Sequence, residues 1–197
     1  MTNKILTFLY FSVSLLFLLG IILTFYDYSY LGYYSDKIIN WTWLGLTTII
    51  IFKFWNKKFM KIYFFSLTSI VILSVVPMAI PFFGILHYFS TINDYQQIQI
   101  SPEYRIERTK QSALSMQRIY VFEKKGIFEK NICRPSYSQI VEKTLNIDNY
   151  ETLVDKDKIS IQNSKLVEIN KDSIEIEYQI LGKKKTFFHK IKNDYGY

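Results

Sequence analysis

Hydrophobic positions divide this chain into two halves that follow different rules. Between Lys4 and Asp27, between Lys37 and Lys53, and between Lys61 and Asp94 there is no charged residue. A helix needs about 20 mostly apolar residues to cross the hydrocarbon core of a bilayer. The pattern therefore predicts three transmembrane helices, over about 5–26, 38–55 and 62–89. The first run ends Thr24-Phe25-Tyr26-Asp27 with no small-residue cleavage pattern, and it is longer than the apolar part of a secretory signal. It reads as an uncleaved helix.

The second run is the shortest, strictly uncharged only from Ile38 to Phe52. For it to span, Lys53 has to snorkel so that Phe54 and Trp55 extend the segment. Trp41, Trp43 and Trp55 lie near its ends, where interfacial aromatics belong. A buried or re-entrant helix is the alternative for this run. In the third run Pro77 and Pro81 predict a kink, because proline removes a backbone donor and clashes with the preceding turn.

After Asp94 the period becomes two. Ile98 and Ile100, then Tyr104 and Ile106, alternate with polar neighbours. Arg118–Glu123 is branched and aromatic, and it meets Ile127-Phe128 across Lys124-Lys125-Gly126, a hairpin pattern. Ser173–Ile180 alternates cleanly, and Gly182-Lys183 turns the chain into Phe187–Ile191. Ile159–Ile161 and Leu166–Ile169 read as two further strands. One helix interrupts them: Tyr137, Ile140, Val141, Thr144 and Leu145 share a face, and Ser136 with Gln139 has capping-box spacing. The expected fold is an α-helical membrane anchor with three transmembrane helices (residues 1–92). A C-terminal β-rich α+β domain follows (93–197), mostly antiparallel sheet of about six or seven strands with one packed helix.

Charge then orients the anchor. Of the net charge of +7, the 24 basic and 17 acidic residues leave only +3 to the part beyond residue 90. The excess is a membrane-flanking feature, and nucleic acid is not an expected partner. Lys53, Lys57, Lys58 and Lys61 stand between runs two and three without an acid, whereas Asp27, Asp36 and Lys37 separate runs one and two. Lysine-rich short loops stay cytoplasmic, so these four lysines are expected to determine topology. With three spans the N-terminus is cytoplasmic and the C-terminal domain extracytoplasmic. Heavy use of Lys, Ile, Asn, Tyr and Phe resembles the bias of AT-rich bacterial genomes, which places the chain in a bacterial inner (plasma) membrane as a multi-pass protein.

Candidate chemistry is sparse. Cys133 is the single cysteine and His189 one of two histidines. A thiol–imidazole pair is conceivable, yet nothing in the sequence brings the two together or supplies an orienting third group. A free cysteine is commonly a small buried residue. Zinc would need carboxylates at spacings that are not visible. His87, at the outer end of run three, is either a titrating sensor or an interfacial ring. No catalytic, cofactor-binding or metal-binding residue is assigned, and P-loop, G-x-S-x-G, H-E-x-x-H and G-x-G-x-x-G patterns are missing.

Two groups qualify as partner contacts. Tyr28, Tyr30, Tyr33 and Tyr34 crowd one loop, beyond what an interface belt needs, and tyrosine supplies large, stiff contact area. Lys183, Lys184 and Lys185 form a basic turn that either meets an anionic partner or solvates a sheet edge. Asn40-Trp41-Thr42 matches a glycosylation sequon but stands at a membrane boundary.

The expected function is that of a non-enzymatic integral membrane protein. Its extracytoplasmic β-rich domain binds a protein partner or a second copy, as an accessory subunit of an envelope complex or as an immunity protein. The alternative is a membrane effector whose β-domain is cytoplasmic, senses a small signalling ligand such as a cyclic nucleotide, and triggers membrane disruption. Beyond the bilayer and that protein partner, no cofactor is expected.

Overall fold

The computed structural model describes residues 3–75, 80–90, 94–111, 116–153 and 159–191. The chain divides into two compact units, Met1–Ile92 and Asn93–Tyr197. This division coincides with the change of hydrophobic period.

The first unit is helical: α1 (Asn3–Phe25), α2 (Ser35–Lys53), α3 (Lys58–Val75) and α4 (Ile80–Phe89), with a short extended stretch, β1 (Tyr28–Tyr30), between α1 and α2. α1 and α3 are long and apolar enough to cross a membrane. Of the three expected spans, α2 is not among these two by length and apolarity. α2 forms as a helix, but it begins three residues earlier than its uncharged run and so takes Asp36 and Lys37 into its first turn, with Lys53 in its last. The third run is divided between α3 and α4, and the expected kink at Pro77 falls within 76–79, outside the described residues.

Aromatic contacts give the helices their directions. The Phe17 ring of α1 stacks on Trp43 of α2 at 4.1 Å, nearly parallel. Nearer the start of α1, the Tyr10 hydroxyl lies 2.6 Å from that of Tyr63 in α3. Tyr88, whose carbonyl accepts from Asn40 of α2, sets its hydroxyl beside Gly20, later in α1 than Phe17. α2 thus runs antiparallel to α1, and α3 runs back alongside.

The second unit holds seven strands and one α-helix among the described residues. β2 (Asp94–Gln99), β3 (Tyr104–Thr109), β4 (Ile119–Lys125) and β5 (Phe128–Cys133) pair antiparallel in sequence order. β6 (Ile161–Ile169), β7 (Ser173–Ile180) and β8 (Lys183–Lys190) make a three-stranded antiparallel sheet with β7 in the centre. The β4–β5 turn is Gly126-Ile127, with Gly126 at φ +66°, a backbone conformation glycine adopts without a side-chain clash. The β7–β8 turn carries two left-handed residues, Leu181 and Gly182, as a two-residue primed hairpin demands.

The two sheets are joined by a side chain acting as backbone. The Gln96 carboxamide of β2 accepts from the Ile161 N–H of β6 at 3.0 Å and donates back to the Ile161 carbonyl. Both strands shift register at that point. A bulge frees the backbone there, and the amide restores both bonds. The expected pair of strands 159–161 and 166–169 is one strand, β6, whose two irregularities break the alternation that would have revealed its continuity.

Between the sheets lies the core. Ile106, Ile119 and Val121 come from one sheet, Ile174, Ile176, Tyr178 and Ile180 from the other. The helix α5 (Tyr137–Leu145) adds Tyr137, Ile140 and Val141. It begins where expected, yet Ser136 makes no side-chain cap. Its hydroxyl bonds that of Ser138 at 2.9 Å instead, so the predicted capping box does not form. At the other end Asn146 takes the left-handed conformation that closes a helix.

On β7, Ile176 is fully buried while Glu177, one residue on, faces outward and pairs with Lys184 at 3.5 Å. Ile176→Asp is expected to lower the unfolding free energy by several kcal/mol, since an unpaired carboxylate would replace a core side chain. Glu177→Lys is expected to cost at most about 1 kcal/mol, because exposed ion pairs contribute little. Urea unfolding of the full chain in detergent checks both, and equal losses would contradict this strand register.

Candidate functional site

In the helical unit the polar side chains gather where α4 ends. A helix leaves its last carbonyls without intrahelical partners. Lys37 Nζ and Asn40 Nδ2 of α2 donate to the Tyr88 carbonyl at 3.0 and 3.1 Å, and Trp41 Nε1 donates to that of Phe89 at 2.8 Å. A lysine at this position also complements the negative end of the helix. Asn40 is only 1% exposed, so its amide is engaged in holding α4 and is closed to glycosylation. Only the backbone of His87 is described.

The tyrosines of the α1–α2 segment divide by role. Tyr30 donates its hydroxyl to the Leu16 carbonyl at 2.8 Å. Its ring and the Tyr88 hydroxyl lie so near Gly20 that a methyl group there would stand 3.2 Å from each. Gly20 is therefore the point of α1 that admits both. Burial and the neighbouring Asp36 raise the Tyr30 pKa. Tyr33 and Tyr34 form an edge-on pair at 4.3 Å, with Tyr34 exposed, while Tyr28 lies in the extended stretch β1. Lys53, Lys57, Lys58 and Lys61 are exposed at the α2–α3 connection.

The basic turn also divides, by strand alternation. Lys183 and Lys185 lie on the helix-covered side of β8, and their ammonium groups donate to the Leu145 and Lys143 carbonyls at 3.1 and 2.8 Å. They close the C-terminus of α5. Lys184 points to the opposite face and pairs with Glu177. On that outer face the register sets Glu168, Glu175 and Phe188 in one rung and Lys165, Glu177 and Thr186 in the next. Phe188 is 71% exposed there.

Cys133, Tyr178 and His189 meet in the core. His189 Nε2 lies 3.1 Å from the Tyr178 hydroxyl, and its ring is parallel to that of Phe187. Burial raises the Tyr178 pKa well above its ordinary value, with a smaller contribution from Cys133 beside it. All three side chains are buried, and the arrangement fills and satisfies the interior.

A second buried polar group surrounds Arg108, which is 1% exposed. Its guanidinium lies over the Tyr137 ring at 3.6 Å and the Tyr95 ring at 4.4 Å. It donates to the Ile159 carbonyl and, at 3.3 Å, to Gln117 Oε1. Tyr150 and Tyr137 donate to the same two acceptors. On the opposite face of β3, Arg105 holds Glu129 at 2.6 Å and Glu107 at 3.1 Å, with the Phe122 ring 4.2 Å away. Neither arginine belongs to a sequence motif. Arg108 falls in step with Tyr104 and Ile106, and that spacing alone marks it as facing inward. Among the described residues no cluster of three or more His, Cys, Asp or Glu side chains is placed to hold a metal.

Comparison with protein-family models, with curated proteins and with solved structures finds no match.

Burial lowers the His189 pKa from 6.5 to about 4. The folded state thus holds a neutral imidazole while the unfolded chain takes up a proton below its ordinary value. Stability is expected to fall as the pH drops from about 6.5 to about 4, by at most about 3 kcal/mol, and to gain nothing from this group above that window. His189→Phe should be less stable at neutral pH by about 1 kcal/mol through the lost Tyr178 bond. It should lose less on acidification. Unfolding curves for both chains across the window check this, and parallel pH dependences would contradict it.

Proposed function

We propose that the chain is a non-enzymatic integral membrane protein. It crosses the membrane three times and presents its β-rich unit outside the cytoplasm to a protein partner or a second copy. The observation that carries the membrane part is the outward apolar surface of α1 and α3. Phe8, Leu15 and Phe65 are 74%, 70% and 62% exposed on helices long and apolar enough to span. Water is a poor neighbour for such a surface, and acyl chains are a good one.

The crossing of α2 is supported by its path. It lies antiparallel along α1 and rises about 28 Å over its 19 residues, close to the hydrocarbon thickness. Asp36 and Lys37 at one end and Lys53 at the other then stand at the two interfaces. With the lysine connection held inside, three crossings leave the second unit outside.

For the partner surface, the outer face of β6–β8 is the best supported. Phe188 stands exposed on a regular strand, flanked by the acidic rung Glu168–Glu175 and the pair Lys184–Glu177. A stiff aromatic inside a charged rim is the usual anatomy of a binding hot spot. It gives affinity, while the charges select a partner with basic groups opposite the glutamates.

Reporters test this arrangement. A fusion after Tyr197 is expected to be active only outside the cytoplasm, and one after Lys58 only inside. A photo-crosslinking side chain at Phe188 is expected to trap a protein chain in living cells. Cytoplasmic activity of the Tyr197 fusion would contradict the reading and favour the ligand-sensing membrane effector.

A further inference from the structure

Within the first unit, α1, α2 and α3 enclose a groove of about 700 Å³. Its walls include Leu15, Leu18, Trp43 and Leu67, and the Tyr10–Tyr63 hydroxyl pair lies on it. Ser14 also lines it, with its hydroxyl buried and no hydrogen-bond partner. An empty space of this size would forfeit dispersion contacts along its whole wall. If these helices stand in a bilayer, the fluid outside the groove is acyl chain, and a chain is the occupant of the right shape and polarity.

Charge at one end defines the rest of the ligand. The Tyr10–Tyr63 contact sets the starts of α1 and α3 at the same end of the bundle. Lys4 precedes Tyr10 by six residues, and Lys58 and Lys61 precede Tyr63 by five and two. At about 1.5 Å per residue, all three stand within about 10 Å of the tyrosine level along the helix axes. All three are exposed. The acids of this half, Asp27 and Asp36, belong to the opposite end. A chain in the groove would thus carry its headgroup into a one-sided field of ammonium groups, within a screening length of each.

We propose that the groove is a binding site for one anionic phospholipid. One acyl chain lies along Leu15, Leu18 and Leu67, an ester oxygen meets the Ser14 and tyrosine hydroxyls, and the phosphate is held by Lys58 and Lys61. The site rests on the membrane reading above and adds a stated ligand to it. It commits to lipid over a second copy of the chain, because the lining offers hydroxyls and a cationic end to a single amphipathic molecule.

Native mass spectrometry of the full chain in mild detergent tests this, with phosphatidylglycerol and phosphatidylcholine titrated separately. One phosphatidylglycerol is expected to stay bound per chain, with a preference over phosphatidylcholine on the order of tenfold. In the double variant Lys58→Gln, Lys61→Gln that preference should vanish while both lipids still bind weakly. Ser14→Phe, which fills the groove, should abolish retention of both; if that variant misfolds, Leu18→Trp provides the same block from another wall. Retention unchanged by either filling variant would overturn the site, as would equal affinity for the two lipids in the unmodified chain. A chain that inserts and keeps its helices yet retains no lipid overturns this inference alone. A chain that never enters the membrane overturns the reading on which it rests.

Discussion

The first half of the molecule depends on what covers its helices. Large apolar side chains face outward along α1 and α3. Burying one such side chain is worth about 1.5–3 kcal/mol, so moving the exposed set from water into hydrocarbon would be favourable by tens of kcal/mol. In water such a surface favours association over free solution, whereas an apolar surround would make the same surface an asset. Inside that surround, backbone satisfaction becomes obligatory. The end of α4 shows how it is met, with lysine, asparagine and tryptophan donors from α2 closing carbonyls that would otherwise be bare.

The second unit solves a different problem. Its two sheets and α5 together supply a core of isoleucine, valine and tyrosine. What makes it one body is local chemistry at the seams: the Gln96 amide between β2 and β6, and two lysines of β8 on the end of α5. Among its ionisable interior groups, Arg108 and His189 are held by aromatic faces, carbonyls and hydroxyls. Such groups specify one packing, because a shifted register would leave them buried without partners.

Much of this could be read from the residues, for a physical reason. Strands β4 and β7 and the helix α5 each bury one clean face, and the β4–β5 and β7–β8 turns carry Gly126 and Gly182, so local pattern and tertiary demand agree. Reading failed where tertiary contacts override the pattern. β6 looks like two strands in the sequence because its bulges break the alternation. α2 reached into charged sequence because Asp36 and Lys37 are compatible with a helix start even though they are incompatible with hydrocarbon. The basic turn looked uniform as a string, whereas β8 sends Lys183 and Lys185 to one side and Lys184 to the other. The alternation of β3 turns Arg108 inward, but its partners, like those of Asn40 and of the Cys133–Tyr178–His189 group, are distant in the chain and no spacing announces them.

The most direct test of the whole account is whether the helical unit is covered by lipid. Membranes containing the full chain are washed with alkaline carbonate, which strips peripheral proteins and opens vesicles. The chain is expected to stay in the pellet and to be released only by detergent. Appearance of folded chain in the wash would contradict it, because the outward apolar surface of α1 and α3 would then be covered by something other than the bilayer.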